Sequence, residues 1–148
     1  FKTNIYSVFW GCKAVSKILS QKGSIINISS IAGKRGSKNN SVYVASKFAM
    51  NGITQSLSKE LGPKNIRVNA ICPVLIQTEG LMQALSEESF PSHKNIDSFF
   101  EDFIKSQTAL NRLPTINEVA QMVLFLASDS ASAITGQCIN VDCGVFPQ

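Results

Sequence analysis

Three short apolar runs restrict what this chain can fold into more than any other feature of its sequence. They are Ser24 to Ser29 (Ser-Ile-Ile-Asn-Ile-Ser), Ile66 to Cys72 (Ile-Arg-Val-Asn-Ala-Ile-Cys) and Gln137 to Val141 (Gln-Cys-Ile-Asn-Val). All are rich in β-branched residues, and the first lacks the clean polar alternation of a half-exposed strand, so it reads as a strand buried on both faces. Pro73 stops the second run and Gly136 precedes the third. Between them lie helical patterns. Ile5, Val8, Phe9, Cys12, Val15 and Leu19 predict an amphipathic helix over 3–20, with Gly23 as a left-handed cap. Residues 41–61 predict a second long helix ended by Gly62-Pro63. Thr115 and Glu118 form a capping-box pattern ahead of an apolar face of Val119, Val123, Leu126 and Ala127. Residues 74–113 read as a less regular insert. Strands alternating with helices of this length predict an α/β fold around a parallel sheet.

The chain has 148 residues, 44% hydrophobic and 16% charged, which predicts one globular domain over 1–148 and excludes a disordered or collagen-like chain. Three strands are nevertheless only half of what a doubly wound dinucleotide fold uses. The nine glycines form neither GxGxxG nor GxxxxGK, so no phosphate-cradling loop is visible. The sequence opens on Phe1 rather than Met, which predicts a processed chain or a piece of something longer. No apolar stretch approaches the ~18–20 residues of a membrane span, and Phe1 to Trp10 lacks the pattern of a signal peptide. Cys12, Cys72, Cys138 and Cys143 contain no CxxC pair and the only histidine is His93, a pattern that argues against metal. Scattered cysteines read as reduced core residues of a cytoplasmic protein. His93 reads as a surface loop residue.

Charge is divided unevenly. Eleven basic residues and one acidic residue (Glu60) precede Val68, and three basic and nine acidic residues lie from there on. Such a split can mark a polyanionic partner. The basic residues are spread over both helices and the loop without an aromatic stacking pattern, so nucleic-acid binding is a poor reading. No membrane partner is expected either.

Tyr43 and Lys47, four residues apart near the start of the second helix, share one helical face. Ser30 stands at the carboxyl end of the first strand, and Pro73 to Thr78 follow the end of the second. In an open α/β sheet, reactive groups gather at that edge. A phenol titrates near pH ~10, so acid/base work near neutrality needs help toward the phenolate, which an ammonium one turn away supplies. A serine hydroxyl can hold a carbonyl or alkoxide oxygen against the phenol. These three groups suit proton transfer coupled to hydride transfer at a carbonyl carbon. On spacing alone, Tyr43 could equally be a half-buried helix aromatic, Lys47 a solvated cation and Ser30 a helix or loop cap.

Four strings taken together resemble the short-chain dehydrogenase/reductase family. They are Gly23-Ser-Ile-Ile-Asn-Ile-Ser-Ser-Ile-Ala-Gly33, Tyr43-Val-Ala-Ser-Lys47, Ile66-Arg-Val-Asn-Ala-Ile-Cys-Pro73 and Thr135-Gly-Gln-Cys-Ile-Asn-Val-Asp142. The resemblance covers the family's C-terminal, catalytic half: the C-terminal part of a doubly wound, Rossmann-like parallel sheet, with the N-terminal cofactor-binding strands absent. It implies that Tyr43 is the acid/base, Ser30 orients substrate, and Lys47 lowers the tyrosine pKa and binds the nicotinamide ribose. It also implies that Asn4 completes a proton relay through water, and that Pro73, Val74, Ile76 and Thr78 line the nicotinamide. The cofactor implied is NAD or NADP, the substrate a small carbonyl or alcohol, and the assembly a homo-oligomer through the two long helices. Residues 79–113 would be a substrate lid whose Phe90, Phe99, Phe100 and Phe103 either wall the substrate or pack the lid onto the core. Two departures stand out. Pro73-Val74 replaces the family's common Pro-Gly, where a Cβ could crowd the nicotinamide or restrict the backbone, and Val141-Asp142-Cys143-Gly144 replaces Val-Asp-Gly-Gly, which bears on a tight turn. The alternative to an oxidoreductase of secondary alcohols and ketones is a truncated, inactive remnant that acts at most by subunit association.

Overall fold

The computed structural model describes residues 1–19, 22–87 and 95–147. Its sheet consists of β1 (Gly23–Ile28), β2 (Ile66–Pro73) and β3 (Cys138–Val141), hydrogen-bonded in that order. Both pairings are parallel, with Ile25 opposite Val68 and Ile71 opposite Ile139. The helices are α1 (Ser7–Ile18), α2 (Ser41–Leu61), α3 (Glu79–Ser86), α4 (Ile96–Gln107) and α5 (Ile116–Ala127). A π-helical turn, Lys2–Tyr6, leads into α1.

Strand β2 explains the layering. Seven of its eight residues are buried, so both of its faces are covered. Val68 and Ile66 form one cluster with Leu57 and Leu61 of α2, whereas Ile71 packs with Val119 and Leu126 of α5. The two-residue period of a strand thus sends alternate side chains to helices on opposite sides. Covering both faces of a parallel sheet with helices gives a Rossmann-like α/β arrangement. Among the described residues β1 pairs with β2 alone, and Ile28 at its end is half exposed.

Several local features depart from the sequence reading. Helix α1 buries only Cys12 of the expected apolar face, and Phe9 and Val15 remain exposed. Periodicity marks a face that favours burial but does not supply the surface to bury it against. The left-handed residue ahead of β1 is Lys22 (φ 61°), and Gly23 is instead the first strand residue. The insert is not irregular. Thr78 and Asn95 cap α3 and α4 by accepting from the Leu81 and Ser98 amides. Within α4, Phe100 is buried and stacks edge-on against Phe99, while Phe103 packs toward Cys72 and Val74. These rings therefore dock the insert onto the core. Phe90 and His93 lie outside the described residues. In α5 the capping box forms in both directions, but Ala127 is exposed rather than part of the buried face.

Candidate active site

The carboxyl end of β1 and the first turns of α2 are tied together by hydrogen bonds. The Lys47 ammonium donates to the Ile28 carbonyl at 2.9 Å, and the Ser29 hydroxyl donates to the Lys47 carbonyl at 3.5 Å. Lys47 is only 8% exposed, and its Nζ lies 5.7 Å from the centre of the Tyr43 ring, one turn away on the same face. Burial pushes the lysine pKa down, and attraction from Cys72 opposes that shift. An ammonium has three donors, so the bond to Ile28 leaves two for a ligand.

Tyr43 is 40% exposed and, together with Asn4, lines an open cavity of about 390 Å³ between the first turn of the chain and the start of α2. Asn4 sits in the π-helical turn, and its Nδ2 donates to the Ser46 hydroxyl at 3.0 Å. That hydroxyl in turn donates to the Tyr43 carbonyl at 2.7 Å. The helix that carries Asn4 is thereby joined to the helix that carries Tyr43 and Lys47.

Ser30 is placed differently. It follows β1 in extended geometry, and its Oγ accepts from the Ala32 amide at 3.1 Å, capping a short 3-10 turn over Ile31–Gly33. It is not among the residues lining the Tyr43 cavity. The cap uses an acceptor site of the hydroxyl and leaves its proton free to donate, so capping does not remove the group from chemistry. The turn is pressed against α2: a Cβ on Gly33 would lie 2.7 Å from the Lys47 carbonyl oxygen. Asn51 closes the contact by donating to the Gly33 carbonyl at 2.9 Å.

Pro73 at the end of β2 and Val74 just beyond it are buried, while Ile76 is partly accessible. The Val74 side chain packs inward with Ile31, Cys72 and Val145, and its backbone is not left-handed. The extra carbons relative to glycine are thus absorbed by the core. Thr78 spends its acceptor on the cap of α3 and keeps its proton. In the final turn, Cys143 does take a left-handed conformation (φ 53°), followed by Gly144 at φ 81°. The Asp142 carboxylate holds this turn by accepting from the Gly144 and Phe146 amides.

Sequence reading missed Ser46 and the carbonyl of Ile28. Ser46 was present within Tyr43-Val-Ala-Ser-Lys47, one residue before the lysine, but nothing in the string shows that its hydroxyl meets Asn4. A second recess of about 460 Å³, bordered by Lys34, Phe48, Gln55, Gln137 and Cys138, contains none of the expected site residues. All four cysteines are free, with Cys12 and Cys72 buried. Among the described residues no cluster of three or more His, Cys, Asp or Glu side chains could hold a metal ion, and no helix is long and apolar enough to cross a membrane.

Comparison with known proteins identifies the family to which this fold belongs. A family model described as enoyl-(acyl carrier protein) reductase matches residues 1–146. The 3-oxoacyl-[acyl-carrier-protein] reductase FabG of Chlamydia muridarum is 41% identical over 145 residues, covering 97% of this chain and 54% of that protein. The crystal structure of sorbitol-6-phosphate 2-dehydrogenase SrlD from Erwinia amylovora superposes with a TM-score of 0.88 at 32% identity, over 98% of this chain and 58% of that one. The structure of 4-hydroxyisoleucine dehydrogenase complexed with NADH gives 0.78 at 32% identity, over 97% and 56%. The chain spans about half the length of the curated relatives it matches. With the family model running through nearly every residue, the chain belongs to the short-chain dehydrogenase/reductase family.

Proposed function

We propose that this chain carries the catalytic part of an NAD(P)-dependent oxidoreductase that interconverts a secondary alcohol and a ketone, with Tyr43 as acid/base. The observation that carries the reading is the Lys47 ammonium, buried against the Ile28 carbonyl and 5.7 Å from the centre of a tyrosine ring that opens on a cavity. An ammonium held beside a half-exposed phenol is placed to stabilise negative charge that develops on the phenol oxygen.

The residues present fit the nicotinamide end of such a cofactor. Lys47 retains two donors for a ribose, and the inward turn of Val74 keeps its side chain out of the space beyond β2. Ile76 and Thr78 would border the carboxamide. When bound, the nicotinamide supplies or accepts the hydride. In the reducing direction Tyr43 gives its proton to the carbonyl oxygen as that oxygen becomes an alkoxide, and in the oxidising direction it takes the proton back. Ser30 donates a hydrogen bond to the same oxygen and orients it. The Lys47 ammonium attracts the charge left on the phenol oxygen. Asn4 would pass protons through water.

The C-terminal half of a doubly wound sheet is the part this chain represents in our reading. A homo-oligomer would form through α1 and α2, where Phe9, Trp10, Val42 and Phe48 are exposed. The same exposed residues, and the single pairing of β1, support the second reading of a non-catalytic subunit that only associates.

Steady-state assays on the full natural chain separate the two. NADH and NADPH would each be tested with acetoacetyl-CoA, a 3-oxoacyl thioester, and in the reverse direction their oxidised forms with sorbitol 6-phosphate. Turnover with either pair, reduced at least ~100-fold in Tyr43→Phe, supports the oxidoreductase. Turnover that survives Tyr43→Phe unchanged removes Tyr43 from the chemistry, and none with any pair favours the associating subunit.

A further inference from the structure

Ser46 is one of the most deeply buried polar residues in the chain, at 2% exposure, and nothing in the chemistry above uses it. Its surroundings assign its one proton. The Tyr43 carbonyl can only accept, and the Ser46 hydroxyl donates to it at 2.7 Å. Toward Asn4, the hydroxyl therefore has only lone pairs to offer. The two ends of an asparagine amide have nearly the same shape, so which end faces a neighbour is decided by what that neighbour can donate or accept. Ser46 accepts the Asn4 Nδ2 at 3.0 Å and would repel Oδ1 in its place.

We propose that Ser46 is a positioning residue: it holds the Asn4 amide with Nδ2 on α2 and Oδ1 turned away from the helix, toward the cavity shared with Tyr43. The inference rests on the oxidoreductase reading and deepens it, because it gives the proposed relay a direction. Asn4 offers an acceptor to whatever occupies that cavity, and a water there must donate to it. Asn4 sits in the π-helical turn and there lies within hydrogen-bond reach of Ser46. The bond from Ser46 to Tyr43 lies within α2 and contributes little to tertiary structure. What Ser46 adds across the two helices is therefore the orientation of Asn4.

The test uses the full natural chain with Ser46→Ala, Asn4→Ala, the double variant and Tyr43→Phe. Alanine fits the buried helix position and keeps the helix, but leaves Nδ2 without its acceptor. Ser46→Ala is expected to lower kcat roughly 3- to 10-fold with KM unchanged. The double variant should be no slower than Asn4→Ala, because Ser46 acts only through Asn4. Nuclear magnetic resonance gives a readout independent of turnover: Ser46→Ala should shift the Asn4 side-chain amide signals and speed their exchange, leaving those of Asn27 and Asn69 in place. If Ser46→Ala does not fold, Ser46→Cys carries the same expectation, since sulfur accepts poorly. Additive losses in the double variant, or an unmoved Asn4 amide, would overturn the proposal while leaving Tyr43 untouched. Turnover retained in Tyr43→Phe would sink the oxidoreductase reading itself, whatever Ser46 does to the Asn4 signals.

Discussion

Gly33 is a position at which one added methyl group should loosen the site as well as the fold. Its backbone is not left-handed, so the requirement for glycine is steric rather than conformational. A Cβ there would meet the Lys47 carbonyl oxygen and the Asn51 Nδ2, both at 2.7 Å. Unstrained carbon–oxygen contacts begin near ~3.3 Å, so the turn and α2 must separate by about 0.6 Å. Overpacking of that kind costs about 1–3 kcal/mol. The bond from Asn51 to the Gly33 carbonyl, 2.9 Å long, would stretch or break, adding about 1 kcal/mol. The total for Gly33→Ala is about 2–4 kcal/mol, and at a urea dependence near 2 kcal/mol/M the unfolding midpoint should fall by about 1–2 M. Two controls share the substitution but not the contact. Gly36 and Gly52 have nothing within 4 Å of an added Cβ. Gly36→Ala should stay within about 0.5 kcal/mol of the parent, and Gly52→Ala, inside α2, should gain about 0.5–1 kcal/mol. Truncating Asn51 in the Gly33→Ala background should not restore stability, because the harder collision is with backbone. A Gly33→Ala midpoint equal to that of Gly36→Ala would refute the reasoning. The contact also bears on function, since separating the turn from α2 moves Lys47 relative to the Ile28 carbonyl that holds its ammonium.

Two other changes test local features. Cys143, left-handed at φ 53°, is strained where glycine would not be, so Cys143→Gly should stabilise the chain by about 1 kcal/mol and raise the thermal midpoint by about 2–4 °C; an unchanged midpoint would mean the turn stores no strain. The Arg112 guanidinium and the Thr115 amide hold the Glu118 carboxyl at about 2, below its usual 4.5. Its folded-state pKa is depressed, so its contribution is fully present above pH 4.5 and lost as pH falls through about 2. Glu118→Gln should therefore be less stable than the parent at pH 7, with the difference closing toward pH 2; a difference constant across that range would exclude the pair as its source.

What could be read from the sequence, and what could not, divides by the range of the interaction. The α5 capping box was legible because Thr115 and Glu118 are three residues apart and satisfy each other. Strand β2 was legible because burial on both faces leaves an apolar run with no polar register to interpret, whereas β1, expected to be buried likewise, is only partly buried and its Ile28 is half exposed. Tyr43 and Lys47 were legible as neighbours because one helical turn fixes them. Helix α4 was missed although Ile96, Phe99, Phe100 and Phe103 recur at helical spacing behind the Asn95 cap; clustered aromatics read more readily as a loose apolar wall. The exposure of α1 depends on what lies against it, and no pattern within one helix records that. Ser46 lies 42 residues from Asn4, and their contact is a product of the fold alone.

The π-helical turn at Lys2–Tyr6 has a consequence for how this segment tolerates change. Its amides reach five residues back, as Tyr6 does to Phe1, so the turn holds one residue more than an α-turn would. That surplus residue offsets the helical phase on either side of it. Removing Ile5 or Tyr6, which lie between Asn4 and α1, would swing Asn4 about 100° around the axis, away from Ser46. Replacing Lys2 or Thr3 would leave that phase intact. Between Asn4 and α1 the site depends on how many residues there are more than on which residues they are.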